Sequence, residues 1–214
     1  MNFPRRVWQV ARRWVLPIVE ALVVALAFTT LAATVVRVDG ISMAPTFLGG
    51  ERVLVLKFLN FFGSPQRGDI VVFTPPTDAP NASVPVPILG PLFGIKTRAT
   101  FIKRVIAIGG DVVEVRPRGV WVNGVQLREN YVSAAAFYGQ EQRWEVPPDH
   151  LFLMGDNRQY GSSEDSRVFG PIPVPAVTRV WRGGGRAWAV LWPPDRVQVL
   201  QLPEHTFAPL REVQ

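Results

Sequence analysis

The sequence predicts a mainly β fold: an antiparallel, barrel-like or folded sheet behind one N-terminal transmembrane helix. Three observations carry this expectation. Residues 15–36 form a nearly unbroken apolar run, close to the roughly 20 residues that cross a hydrocarbon core. The apolar runs after it are short, rich in β-branched and aromatic residues, and bounded by Gly, Pro, Asn and Asp, which is a strand pattern. Long helical periodicity does not recur beyond the span.

Residues 1–14 read as a basic cytoplasmic tail. Arg5, Arg6, Arg12 and Arg13 precede the span with no acidic residue among them, and Trp8 and Trp14 suit an interfacial belt. The positive-inside rule places this tail in the cytoplasm and everything after Arg37 outside a cytoplasmic (inner) membrane, in a single pass. Glu20 and Pro17 lie near the N-terminal end of the span, where a carboxylate reaches the headgroups and a Pro costs few helix bonds. The competing reading is a cleaved secretory signal with small residues at Ala32 and Ala33. The span exceeds the usual 7–15-residue apolar core of such signals, and cleavage would leave Ser42 close to a free end. Four tail Arg account for most of the net charge of +6. An anionic lipid bilayer is partner enough for them, and nucleic acid is not indicated.

Residues 37–202 read as one extracytoplasmic β domain, and 203–214 as a C-terminal tail. Strand-like runs cover 52–56, 69–73, 101–108, 112–115, 120–122, 150–154 and 187–191. Asn123-Gly124 marks a hairpin within Val120–Leu127. Residues 74–100 interrupt the pattern with a long, Pro-rich, apolar loop. It reads either as a surface that touches lipid or another chain, or as an extended hairpin without a role.

Candidate chemistry begins at Ser42, in Gly40-Ile41-Ser42-Met43-Ala44-Pro45-Thr46, just past the span. There is no Cys, and neither His150 nor His205 lies in a motif-like run. A Ser activated by Lys is the alternative that chemistry allows. The chain has three Lys against 20 Arg, and Arg does not deprotonate in proteins. Lys103 lies in Phe101-Ile102-Lys103-Arg104-Val105-Ile106-Ala107. On a strand it shares a face with Phe101 and Val105, where burial would disfavour its ammonium form. Lys57 is the competitor, with a snorkelling charge near the membrane as its plainer role. Lys96 falls in the loop. Met43 reads as a contact to membrane or substrate, and Pro45 as a stiffener of the turn carrying Ser42. The Ser42 N–H reads as an oxyanion donor. No metal-ligand spacing and no phosphate-binding loop is present, so neither metal nor cofactor is expected.

Four segments in order resemble the motifs of type I signal peptidases. They are Ser42-Met43-Ala44-Pro45-Thr46, Arg67-Gly68-Asp69-Ile70-Val71-Val72-Phe73, Lys103–Ala107 with Gly109-Gly110-Asp111, and Met154-Gly155-Asp156-Asn157-Arg158 followed by Ser163-Glu164-Asp165-Ser166-Arg167 and Phe169-Gly170. The resemblance implies a membrane-bound serine endopeptidase that cuts signal peptides from preproteins after small residues. It implies Ser42 as nucleophile, Lys103 as general base and an acyl-enzyme intermediate. It also implies structural ion pairs, Asp156 with Arg104 and Asp165 with Arg167, although ordinary exposed pairs fit those residues too. Some relatives carry a hydroxyl two residues before the nucleophile; here that position is Gly40. Relatives orient the Lys with a Ser in the last motif. Counting back from Asp165 selects Ser163, on one extended face with Asp165 and Arg167; counting from Arg158 selects Ser162. The alternative from another class is a catalytically silent, membrane-anchored β domain that binds partner proteins.

Overall fold

The apolar N-terminal segment is helical from Ala11 to Ala32. The α-helix α1 (Leu16–Ala27) sits between two π-helical pieces, Ala11–Val15 and Phe28–Ala32. In this computed structural model the described residues are 8, 11–85, 96–179 and 184–211. The most apolar 18-residue stretch of Arg12–Ala32 has a mean hydropathy of 2.2, and the helix is long and apolar enough to cross a membrane. No residue of α1 is buried against the rest of the chain. The helix ends four residues before the expected span, 15–36, does, because residues 33–36 belong to a strand. Thr34, Val35 and Val36 are β-branched, and their backbone pairs with residues 53–55.

The strands are β1 (Ala33–Arg37), β2 (Arg52–Leu56), β3 (Ile70–Phe73), β4 (Ser83–Pro85), β5 (Lys96–Arg98), β6 (Phe101–Ile108), β7 (Val112–Arg116), β8 (Gly119–Val122), β9 (Val125–Gln126), β10 (Gln142–Glu145), β11 (His150–Met154), β12 (Ile172–Pro173), β13 (Gly185–Trp192) and β14 (Gln198–Val199). The main sheet runs β1-β2-β13-β3-β6-β11-β12, with β14 on β13. A second sheet runs β10-β7-β8-β9, and β4 pairs with β5 alone. Every pairing is antiparallel. The chain is therefore mainly antiparallel β, as its short apolar runs predict. The main sheet is open, since β1 and β12 end the order without pairing to each other.

Asn123 and Gly124 close the β8–β9 hairpin with φ of 51° and 79°. Two positive φ values in a two-residue loop match the right-handed twist of the flanking strands. The loop of 74–100 folds back on itself where it is described: Ser83–Pro85 pairs with Lys96–Arg98. Its apolar tip, 86–95, lies outside the described residues.

Strand β6 is the pivot. It lies between β3 and β11, and residues 103–107 are buried. Ile106 and Ala107 belong to a core shared with Val113, Val115, Val120 and Val122 of the second sheet. Val105 packs instead with Val71, Phe73, Leu151 and Leu153. The residues expected as a tail, 203–214, are structured as far as Arg211. A short helix, Glu204–Phe207, leads into a 3₁₀ turn, Ala208–Arg211. Phe207 and Leu210 stand three residues apart and enter the first core, while Thr206 Oγ1 donates to Arg128 O at 2.8 Å.

Candidate active site

Ser42 sits in a tight turn after β1. Ala44 N–H donates to Ile41 O, and Phe47 N–H donates to Met43 O. Side chains in this turn divide by face. Met43 and Phe47 enter a core with Val38, Val53, Ile70 and Val190, while Ile41 and Pro45 face out. Met43 is 1% exposed, so its side chain lies in the core and not on the groove that Ser42 lines. Its side chain anchors the turn from below, because burying it removes more apolar surface from water than leaving it beside Ser42. Pro45 follows a cis peptide bond.

Lys103 arrives from β6, opposite Val71 of β3. Its Nζ lies 2.8 Å from Ser42 Oγ and 5.4 Å from the centre of the Phe101 ring. Burial pushes the Lys103 amine down to about 8, against the opposing pull of Asp165 and Glu164 and with help from Arg167. An ammonium loses hydration in such a site, so the neutral amine is favoured relative to water. The two groups line a groove of about 340 Å³ with Val38, Gly40, Ile102, Ser162 and Glu164. A larger cavity, about 1250 Å³, is lined by Pro45, Thr46, Arg104, Tyr131 and residues 198–205, and reaches neither Ser42 nor Lys103. Chemistry, not size, singles out the smaller groove.

Lys57 goes elsewhere. It is 7% exposed at the end of β2 and donates to Thr30 O at 3.4 Å, near the end of the helical segment. Burial lowers its pKa too.

Asp156 joins the two reactive segments. Its carboxylate accepts from Arg104 Nε at 2.8 Å and Nη2 at 2.6 Å, and from Thr46 Oγ1 at 2.5 Å. Arg104 adjoins Lys103 and Thr46 closes the Ser42 turn, so one buried carboxylate ties the Ser42 turn to the strand that carries Lys103. Both Asp156 and Arg104 are buried, which rules out an ordinary exposed pair. The Arg104 guanidinium also stacks on the Tyr131 ring, 4.1 Å from its centre.

Asp165 and Arg167 pair as well, at 2.9 and 2.8 Å, but not on an extended face. A short helix begins at Ser166, and Asp165 is its N-cap, accepting from Arg167 N–H at 3.1 Å. The capping preference of Asp overrides strand alternation here. Burial raises the Asp165 carboxyl, yet the Arg167 guanidinium and the Gly155 N–H outweigh it and hold the group below its ordinary value.

The expected link from Ser163 to Lys103 is absent. Ser163 is buried and shares the groove, but its Oγ turns toward Gly155 and the Asp165 carboxylate, outside strict hydrogen-bond geometry. The N-cap geometry of Asp165 sets the approach of 163–165, which sequence alternation does not foresee. Ser162 is half-buried beside it.

Two groups escaped the sequence reading. Arg158 is buried and donates to Glu129 Oε2 at 2.6 Å; Glu129 lies in a connection with no motif to mark it. Arg67 grips Asp111 with two bonds of 2.8 and 2.7 Å. Both residues stood in quoted motifs, so a search for fork-shaped Arg–carboxylate pairs between motifs offered a signal. Among the described residues, no cluster of three His, Cys, Asp or Glu is placed to hold a metal ion.

A buried amine against a hydroxyl, on an antiparallel β scaffold, is an arrangement suited to acyl transfer. Residues 11–192 match the family model described as signal peptidase, peptidase S26. Thylakoidal processing peptidase 1, chloroplastic, of Arabidopsis thaliana is 33% identical over 83% of this chain and 47% of its own length. The probable signal peptidase I-2 of Synechocystis sp. is 34% identical over 85% of this chain and 73% of its own. Signal peptidase I of Mycobacterium tuberculosis is 31% identical over 86% and 73%. The chain belongs to the peptidase S26 family of signal peptidases. It spans about half the length of the Arabidopsis relative.

Proposed function

We propose that this chain is a membrane-anchored serine endopeptidase that removes N-terminal signal peptides from exported preproteins with a Ser42/Lys103 dyad. The observation that carries the mechanism is the 2.8 Å approach of Lys103 Nζ to Ser42 Oγ in a site that disfavours the ammonium. The neutral amine accepts the Ser42 proton as Oγ attacks the scissile carbonyl. The Ser42 N–H donates to the oxyanion of the tetrahedral intermediate. Lys103 then returns the proton to the leaving amine, and an ester joins Ser42 to the signal peptide. Water, deprotonated by the same amine, cleaves that ester. Helix Arg12–Ala32 anchors the enzyme, and the domain works on the outer face of a cytoplasmic membrane. Family membership and the relatives' names support signal peptides as the substrate class.

The test is preprotein cleavage in detergent by the wild type, Ser42→Ala and Lys103→Arg. Both variants should lose activity, at least ~10³-fold, while keeping the wild-type circular dichroism spectrum. Arg cannot supply a neutral base, so appreciable turnover by Lys103→Arg would overturn the assignment.

A further inference from the structure

Asn157 grips the peptide unit just ahead of the nucleophile. Its Nδ2 donates to Ile41 O at 3.2 Å, and its own backbone N–H donates to Ser42 O at 3.0 Å. Gln159 N–H donates to Asn157 Oδ1 at 3.3 Å, which holds the amide with its nitrogen toward Ile41. The Ile41–Ser42 peptide is trans, since the cis bonds lie at Ala44-Pro45 and Trp192-Pro193. In a planar trans unit the C=O and the N–H point in opposite directions. Holding the Ile41 carbonyl toward Asn157 therefore turns the Ser42 N–H away from it. No backbone acceptor among the described residues takes that N–H. Gly40 offers no side-chain donor, and both Gly40 and Ser42 line the groove.

We infer that Asn157 is a positioning residue that aims the Ser42 N–H as the oxyanion donor. The inference rests on the proposed Ser42 mechanism. Asn157 shares the Ile41 carbonyl with the Ala44 N–H, 3.0 Å away, so losing its amide misaims the donor without freeing the turn. The effect is accordingly smaller than the 10²–10³-fold cost of removing an oxyanion donor outright.

The experiment compares the full chain with Asn157→Ala and Asn157→Asp in detergent. Asp keeps the acceptor for Gln159 N–H but sets an oxygen against the Ile41 carbonyl. Three readings are taken: kcat and KM on a preprotein peptide, affinity for a peptide aldehyde, and affinity for the same peptide with its scissile carbonyl reduced to methylene. Ser42 Oγ adds to the aldehyde carbon while its proton passes to Lys103, leaving an oxyanion. The methylene peptide fills the groove but forms none. Expected are a loss in kcat of roughly 10–10²-fold, larger for Asp than for Ala, a KM within about twofold, aldehyde affinity falling with kcat, and unchanged methylene-peptide affinity. Loss of both affinities together, or of neither, overturns the inference. If Ser42→Ala keeps activity, the underlying mechanism fails instead, so the two failures are distinguishable.

Discussion

Lys103 shows how one residue takes its chemistry from its neighbours. In water a Lys amine is protonated at neutral pH. Within β6 it is 4% exposed, and burial brings it to about 8. In the proposed mechanism the working form is the neutral amine, and lowering the pH removes it. kcat/KM should therefore rise with pH through about 8 and fall about tenfold per unit below it. A pH–rate profile on a peptide substrate checks this; a flat profile from pH 6 to 9 would contradict the assignment. Asp156 teaches the complementary lesson about buried charge. Asp156→Ala leaves the Arg104 guanidinium in the core without its carboxylate, which should lower stability by about 3–5 kcal/mol. Arg37→Ala breaks the exposed contact to Asp39 and should leave stability unchanged, because water replaces that partner. Chemical denaturation of the two variants in detergent reads the contrast.

At the scale of elements, the run after β11 is the clamp of the site. Gly155 lies against Ser42 O, Asp156 accepts from Thr46 Oγ1, and Asn157 donates to Ile41 O and Ser42 O. A Cβ added at Gly155 would stand 2.3 Å from Ser42 O and 2.4 Å from Ser163 Oγ. The first contact is backbone, so the turn must move. Gly155→Ala should therefore cost roughly 10²-fold in kcat/KM, the scale of a 1 Å misplacement of a reacting group. Kinetics with a thermal-melt control measures it, and a wild-type rate would show that the turn yields freely. Strand β6 brings Lys103 and Arg104 to this clamp on opposite faces, one toward Ser42 and one toward Asp156. Alternation along a strand is what lets two adjacent cations serve different ends.

The whole molecule couples an exposed apolar helix to a β domain through an immediate helix-to-strand junction at Ala32–Ala33. Ser42 follows five residues after Arg37, the end of β1. Protease added outside spheroplasts should digest the domain after Arg37 and spare the Arg-rich N-terminus. Protection of the whole chain until lysis would reverse the orientation.

Hydropathy, turn residues and spacing were enough to predict the antiparallel β class, the apolar helix, the Asn123-Gly124 hairpin and the candidates Ser42 and Lys103. These are local signals: short β-branched and aromatic runs bounded by turn residues, an apolar run of about 20 residues, a scarce Lys in an apolar stretch. The helix end at Ala32, the burial of Met43, the packing of Phe207 and Leu210, and the turn of Ser163 toward Gly155 were decided only by tertiary structure. The first three depend on a partner far away in sequence: β2 for β1, Val190 for Met43, and the second sheet for residues 207 and 210; Ser163 is turned by the nearby Asp165 cap and the close approach of Gly155. Glu129 and Arg158 are the extreme case. Arg158 ends a motif and Glu129 lies in an unmarked connection, so nothing local links them, and only the fold, by excluding water around both, makes them a pair.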